Sequence, residues 1–227
     1  MGLPKISEEE FNALWDLFNV TNGHNWYWND KVNSGIPWNF SSGFSHHNPC
    51  KDRWQGISCT CTRSENETHR VADISYTSYD DNSFPDEMFD CHIEKLQLLD
   101  YGLDGYLPES IGDLSSLTHI HFGTGYSTQN DQVLTGSIPL SIGKLNKLKL
   151  LSIYNSKITG SIPSSLGQLT SLTFLDLDSN SLTGSIPSSL GQLTALTTLY
   201  LDSNSLTGSI PSSLGQLTAL SLSLIHI

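Results

Sequence analysis

His119 and His121 stand two residues apart, a spacing that sets both imidazoles on one face of an extended strand, as two zinc or copper ligands would be. A metal centre needs a third convergent donor, and spacing identifies none. Structural use of the pair is therefore preferred, and no metal and no cofactor is assigned. Asp176 and Asp178 form a similar carboxylate pair, the raw material of an acid and base couple. Its form returns at the neighbouring turn around Asp202, which points to duplication rather than to tuned chemistry. Cys50, Cys59, Cys61 and Cys91 could ligate zinc or pair as disulfides. Cys59-x-Cys61 lacks the two-residue spacer of a zinc knuckle and no second close pair follows, so two bridges in an oxidising compartment are favoured. The sequence holds no G-x-S-x-G elbow, no H-E-x-x-H, no phosphate-cradling Gly loop with Lys and no kinase signature, and it reads as no enzyme.

Composition narrows the partners. The 227 residues carry 11 Lys and Arg against 23 Asp and Glu, a formal charge of -12, which repels phosphate backbones and anionic lipid. Nucleic acid is excluded as a partner class. No apolar run approaches the roughly 18 residues of a membrane-spanning helix, so membrane attachment would need a segment outside this sequence. The opening MGLPKISEEEF has no signal-peptide apolar region, and Ile6 stands where a myristoylation motif on Gly2 requires Ser or Thr. Asn19, Asn39 and Asn66 each begin an N-x-[ST] glycosylation sequon within the cysteine-bearing half, and together with the cysteines they point to an extracellular or cell-surface protein.

A repeat must position these groups. The unit LTGSIPSSLGQLT recurs with prolines at 108, 139, 163, 187 and 211, the last three intervals being 24 residues. The first interval is 31, and its seven extra residues fall in GTGYSTQNDQ after Phe122, an inserted loop carrying Tyr126, Gln129 and Asn130 that would serve as a lid or contact finger. Leu175 and Leu177 alternate with Asp176 as in a short strand with leucines inward. Asn180 and Asn204 follow the strand, where an amide can bond otherwise unsatisfied backbone groups; Ser156 takes that place one unit earlier. Gly136, Gly160, Gly184 and Gly208 allow a backbone conformation closed to side chains, and the proline after each Ile fixes φ on the return. Leu190, Leu193 and Leu196, spaced by three, suit a short 3₁₀ segment.

LTGSIPSSLGQLTALTTLYLDSN resembles the plant-specific leucine-rich repeat of receptor-like kinase and receptor-like protein ectodomains and of polygalacturonase-inhibiting proteins, over about Leu96 to Leu220. The resemblance implies an α/β solenoid: a right-handed superhelix with a parallel sheet on its concave face, short 3₁₀ or irregular segments on its convex face, and a helical, disulfide-bonded N-terminal cap. The expected division is a capping domain over 1–70, a degenerate first repeat over 71–95 around Val71, Ile74, Tyr76 and Pro85, and five repeats over 96–221. The tail 222–227, LSLIHI, loses the register and resembles a translated sequencing adapter, a non-native ending that leaves the last repeat uncapped and prone to fray or associate. In the cap, Phe11, Leu14, Trp15 and Phe18 describe one helix face and Trp54 is expected to plug the solenoid end. The resemblance pairs Cys50 with Cys59, which leaves Cys61 to Cys91.

The resemblance also places recognition on the residues between strand leucines. One column holds Gln97, His121, Ser152, Asp176 and Tyr200; a second holds Leu99, Gly123, Tyr154, Asp178 and Asp202; His119 and Phe174 share the same face. The leading expectation is a module that binds a protein, peptide or glycan on this surface, as the sensing fragment of a receptor-like protein. An inhibitor of secreted cell-wall glycosidases is the second. A third takes the rows Thr183, Ser185, Thr207 and Ser209 as a regular surface for polysaccharide or ice.

Overall fold

The computed structural model describes residues 6–26, 37–40, 49–50, 54–63, 89–124 and 134–226. Its N-terminal helix, α1, runs over Glu8–Val20. Ser7 starts it with a capping box: the Ser7 hydroxyl accepts the Glu10 N–H at 3.1 Å, and the Glu10 carboxylate accepts the Ser7 N–H at 3.2 Å. Glu10 is itself buried, and its other oxygen accepts the Ile93 N–H at 3.1 Å, tying the helix to the first long strand. Phe11, Leu14, Leu17 and Phe18 are buried. Trp15 departs from the expected face: it is 38% exposed and lies over Phe18 and Phe40 instead, because Leu17 takes the inward position. Trp54 plugs the end as expected, fully buried and stacked on Trp38 at 5.8 Å, whose indole N–H donates to the Gln55 carbonyl at 2.7 Å.

Cys50 and Cys59 are bridged at a sequence separation of 9. Closing so short a loop stabilises the cap by about 2 to 3 kcal/mol in the chain-entropy picture. Cys91 is also in a disulfide, and Cys61 stands opposite it in the antiparallel pairing of Ile57–Arg63 with Phe89–Leu99; the Cys61 side chain lies outside the described residues. So do Val71, Ile74, Tyr76 and Pro85 of the expected degenerate repeat.

Five coils follow. Their strands, Phe89–Leu99, His119–Gly123, Leu150–Tyr154, Phe174–Asp176 and Thr198–Tyr200, pair in parallel and in that order. Beneath them Leu96, Ile120, Leu151, Leu175 and Leu199 form one fully buried file, with Leu98, Phe122, Ile153, Leu177 and Leu201 beside it. Each such side chain contributes roughly 1.5 to 3 kcal/mol only because the next coil covers it. On the outer side each coil makes a five-residue 3₁₀ segment just after its proline, from Glu109–Asp113 to Ser212–Gln216. A second, narrow line of parallel pairing joins the coils where Gly105–Tyr106 meets Leu134–Thr135 and Thr183–Gly184 meets Ser205–Leu206.

Two polar devices stitch the stack. Asn180 Nδ2 donates to the carbonyls of Ile153, Leu177 and Asp178 at 2.7 to 3.2 Å while its Oδ1 accepts the Ile158 N–H at 3.1 Å. Asn204 repeats the pattern one coil on, and Ser156 in the same place reaches only the Tyr154 carbonyl. At the strand entries Thr173, Thr197 and Ser221 hydroxyls donate to the carbonyls of Lys149, Thr173 and Thr197.

Gly136, Gly160, Gly184 and Gly208 have φ between 70° and 85°, the left-handed region expected of them. In the tail, Leu222–Leu224 pairs in parallel with Thr198–Tyr200, with Ser223 opposite Leu199, while Leu222 and Leu224 are exposed: the backbone ladder continues although the leucine pattern is out of register. Ladder bonds use backbone groups alone, so a strand forms although a Ser stands where the period calls for Leu.

Candidate functional site

On the face of the sheet away from the leucine files, three columns run across the coils. Lys95, His119, Leu150, Phe174 and Thr198 are register partners in sequence, as are Gln97, His121, Ser152, Asp176 and Tyr200. The structure therefore brings together the whole of the first expected column. Leu99, Gly123 and Tyr154 pair as the second begins. Asp178 and Asp202 lie just past the ends of their strands and join it through backbone bonds, from the Asn155 N–H to the Asp178 carbonyl and from the Ser179 N–H to the Asp202 carbonyl.

Most of these side chains are half-buried or exposed, and two are not. Ser152 is buried, and Asp176 is 9% exposed. Asp176 Oδ2 accepts the Ser152 hydroxyl at 3.2 Å and Oδ1 accepts the Asp178 N–H at 3.1 Å. Burial, helped by the adjacent Asp178 carboxyl, pushes the Asp176 acid up to about 7, against the pull of those two hydrogen bonds. The alternation of the repeat marks position 176 as outward and gives no sign of this, since the burial comes from neighbours on other coils.

The sign of the consequence follows from linkage. Folding raises this acid above its unfolded value, so the native chain holds a proton that the unfolded chain has released. Its contribution to stability is complete below about pH 4 and is lost as pH rises through 7. Asp176→Asn keeps the shape and removes the titration: the amide oxygen can accept from Asp178 and the amide N–H₂ can donate to Ser152. The variant should match the parent near pH 4.5 and exceed it by about 1 kcal/mol at pH 8, a figure discounted for partial solvent screening. Denaturant unfolding at the two pH values checks this, and an offset independent of pH would contradict it.

His121 and Tyr154 rings lie 5.9 Å apart, as do Phe174 and Tyr200, so the face carries two aromatic pairs flanking Asp176. Burial lowers both histidines from their usual value, with Lys95 adding to the effect at His119, and both are neutral at pH 7. His119 Nδ1 lies 2.8 Å from the Thr118 hydroxyl. Among the described residues no three His, Cys, Asp or Glu side chains gather as metal ligands would.

Tyr126, Gln129 and Asn130 of the insertion lie outside the described residues, as does Asn66. The start of the insertion is fixed in a way that spacing did not show. Asn155 Nδ2 donates to the Thr124 carbonyl at 2.8 Å and the Thr124 hydroxyl donates to the Asn155 carbonyl at 2.9 Å, so the loop leaves beside the second column. Asn19 and Asn39 are exposed.

Stacked coils with a leucine spine, an Asn ladder and a capped, open-faced parallel sheet define a solenoid built to present a surface. Residues 126–227 match the family model described as a leucine-rich repeat region. Among solved structures, the chain resembles the ectodomain of the receptor kinase SOBIR1 from Arabidopsis thaliana at 21% identity and a TM-score of 0.67, covering 97% of this chain and 93% of that one, a likeness of fold. It resembles a chain of the BIR3–SERK2 complex from the same plant at 30% identity and a TM-score of 0.58, covering 92% and 91%. It also resembles the PEPR1–AtPEP1 structure at 25% identity and a TM-score of 0.67, covering 96% of this chain and 24% of that one. No curated protein matches in sequence. The chain belongs to the leucine-rich-repeat family, in its plant receptor-ectodomain form. Among the described residues no helix is long and apolar enough to cross a membrane.

Proposed function

We propose that this protein is an extracellular recognition module that captures a protein or peptide on the open, concave face of its sheet, as the sensing part of a receptor-like protein. One observation carries the reading. Over coils 3 to 5 the spine and the outer segments are nearly verbatim, while the file Ser152, Asp176 and Tyr200, which continues Gln97 and His121 of coils 1 and 2, differs in chemistry at every step. A surface that varies on a constant frame suits specific contact. The likeness to the BIR3–SERK2 and PEPR1–AtPEP1 structures supports it. The Cys50–Cys59 bridge and the exposed sequon residues Asn19 and Asn39 support export and glycosylation.

The surface of Thr and Ser rows is a weaker candidate. The Thr183 hydroxyl of that surface already donates to the Gly160 carbonyl, as the Thr135 and Thr159 hydroxyls do to Gly105 and Gly136 on earlier coils, which leaves these three as acceptors only.

Panning a displayed library of random dodecapeptides tests the proposal. The parent should enrich specific sequences that a Gln97→Ala, His121→Ala, Tyr154→Ala, Tyr200→Ala variant fails to retain. Equal retention by both proteins, or no enrichment on either, would overturn it.

A further inference from the structure

We propose that the part of this face on coils 3 to 5 reads basic side chains, arginine above all, of an extended peptide, through Asp176, Asp178 and Asp202 set among Tyr154, Phe174 and Tyr200. The inference rests on the recognition reading and names its partner class.

The sequence of these coils has a polarity that the sheet turns into a surface. Segments 150–154, 174–178 and 198–202 read LLSIY, FLDLD and TLYLD, with three carboxylates, three aromatic rings and no Lys or Arg. The register sets Asp176 between Ser152 and Tyr200, and the Phe174 and Tyr200 rings stand edge to face at 5.9 Å. Coils 1 and 2 carry Lys95, His119 and His121 in the corresponding columns, beside Glu94, and Lys149 flanks coil 3 from the exposed strand entry. A peptide laid across the coils thus meets Lys95, Glu94 and two neutral imidazoles at one end and an anionic, aromatic surface at the other, so its basic side chains belong at the second.

Chemistry favours arginine at the anionic end. A guanidinium stacks on an aromatic ring and offers carboxylates two parallel N–H donors, and it sheds water more readily than an ammonium does. Asp176 supplies an independent reason. It is nine-tenths buried beside the buried Ser152, on a face whose other side chains are half-buried or exposed, and burial with Asp178 beside it holds its acid well above the usual carboxylate range. Such a placement disfavours the ionised chain when it is alone, and an approaching cation relieves the penalty. Adjacent coils of a parallel sheet lie about 4.8 Å apart, so the carboxylates of coils 4 and 5 are within reach of two side chains of one strand-like peptide.

The test uses the full chain and two fluorescein-labelled peptides, Gly-Arg-Gly-Arg-Gly and its citrulline isostere, with anisotropy read at 0.15 M salt. The arginine peptide should bind at least 10-fold tighter than the citrulline peptide. Asp176→Asn, Asp178→Asn, Asp202→Asn together should weaken it at least 10-fold, and Tyr200→Ala alone several-fold. A control with the same change of charge on α1, Glu8→Gln, Glu9→Gln, Asp16→Asn, should change it less than 2-fold. Equal losses in the two triple variants would reduce the effect to net charge and overturn the proposal, as would equal binding of the two peptides. Should the first triple variant fail to fold, Tyr200→Ala and the citrulline contrast still decide. Enrichment of non-basic sequences in the library panning would sink this inference and leave the recognition reading standing; no enrichment at all, with no arginine binding, would sink both.

Discussion

Asn180→Ala should lower the unfolding free energy by about 3 kcal/mol, far more than its half-buried position suggests. The amide serves carbonyls on two coils, Ile153 on one side and Leu177 and Asp178 on its own, and accepts the Ile158 N–H that would otherwise lack a partner. Alanine removes all of these bonds at once; the Leu177 and Asp178 carbonyls keep the Asn204 amide and the Asn155 N–H, while the Ile153 carbonyl and the Ile158 N–H lose the Asn180 amide beside the spine. Each unsatisfied group costs about 1 kcal/mol or more. Ser156 occupies the same place one coil earlier with a single bond, at 3.2 Å, so Ser156→Ala should cost less than about 1 kcal/mol. Chemical denaturation of the two variants makes the comparison, and equal losses would show that the amide ladder does not hold the coils together.

The second large effect is expected at a glycine whose reason is contact rather than conformation. A Cβ on Gly167 would stand 2.4 Å from the Ser189 carbonyl oxygen of the next coil, and one on Gly191 would stand 2.5 Å from that of Ser213. Neither neighbour is a flexible side-chain tip, so relief requires the outer segments to part. Gly167→Ala should destabilise by about 2 to 3 kcal/mol, in the range of core overpacking. Gly215 is the equivalent position on the last coil and has nothing within 4 Å, so Gly215→Ala should be neutral or slightly stabilising. The same substitution in the same SSLGQLT segment therefore separates close approach from intrinsic preference. Equal effects at both positions would mean that the outer segments are not packed as described.

These two sites show what a single sequence can and cannot reveal here. The Asn ladder was legible, because an amide recurring just past a strand has a definite backbone task. The left-handed glycines from Gly136 to Gly208 were legible from their place after the returning Leu-Thr. Gly112, Gly143, Gly167 and Gly191 were not, since a glycine after an Ile or Leu in a helical segment gives no sign of the Ser pressed against it from the following coil. The columns of the open face followed from the period once the strands were placed. The burial of Asp176 did not, because it depends on which residues the coils on either side happen to present. Glu10 illustrates the same limit in the cap: its capping-box role is local and readable, while its bond to Ile93, 83 residues away, is made only by the fold.

The division between a spine that holds the chain and a face that meets a partner is tested most directly by unfolding a variant rewritten on the face alone. Gln97→Ser, His121→Ser, Phe174→Ser and Tyr200→Ser together should lower stability by less than about 2 kcal/mol, since partly exposed positions add little each, whereas Leu175→Ala alone should cost about 2 to 5 kcal/mol. Collapse of the four-position variant, with Leu175→Ala tolerated, would show that these columns are part of the core and are not available to any ligand.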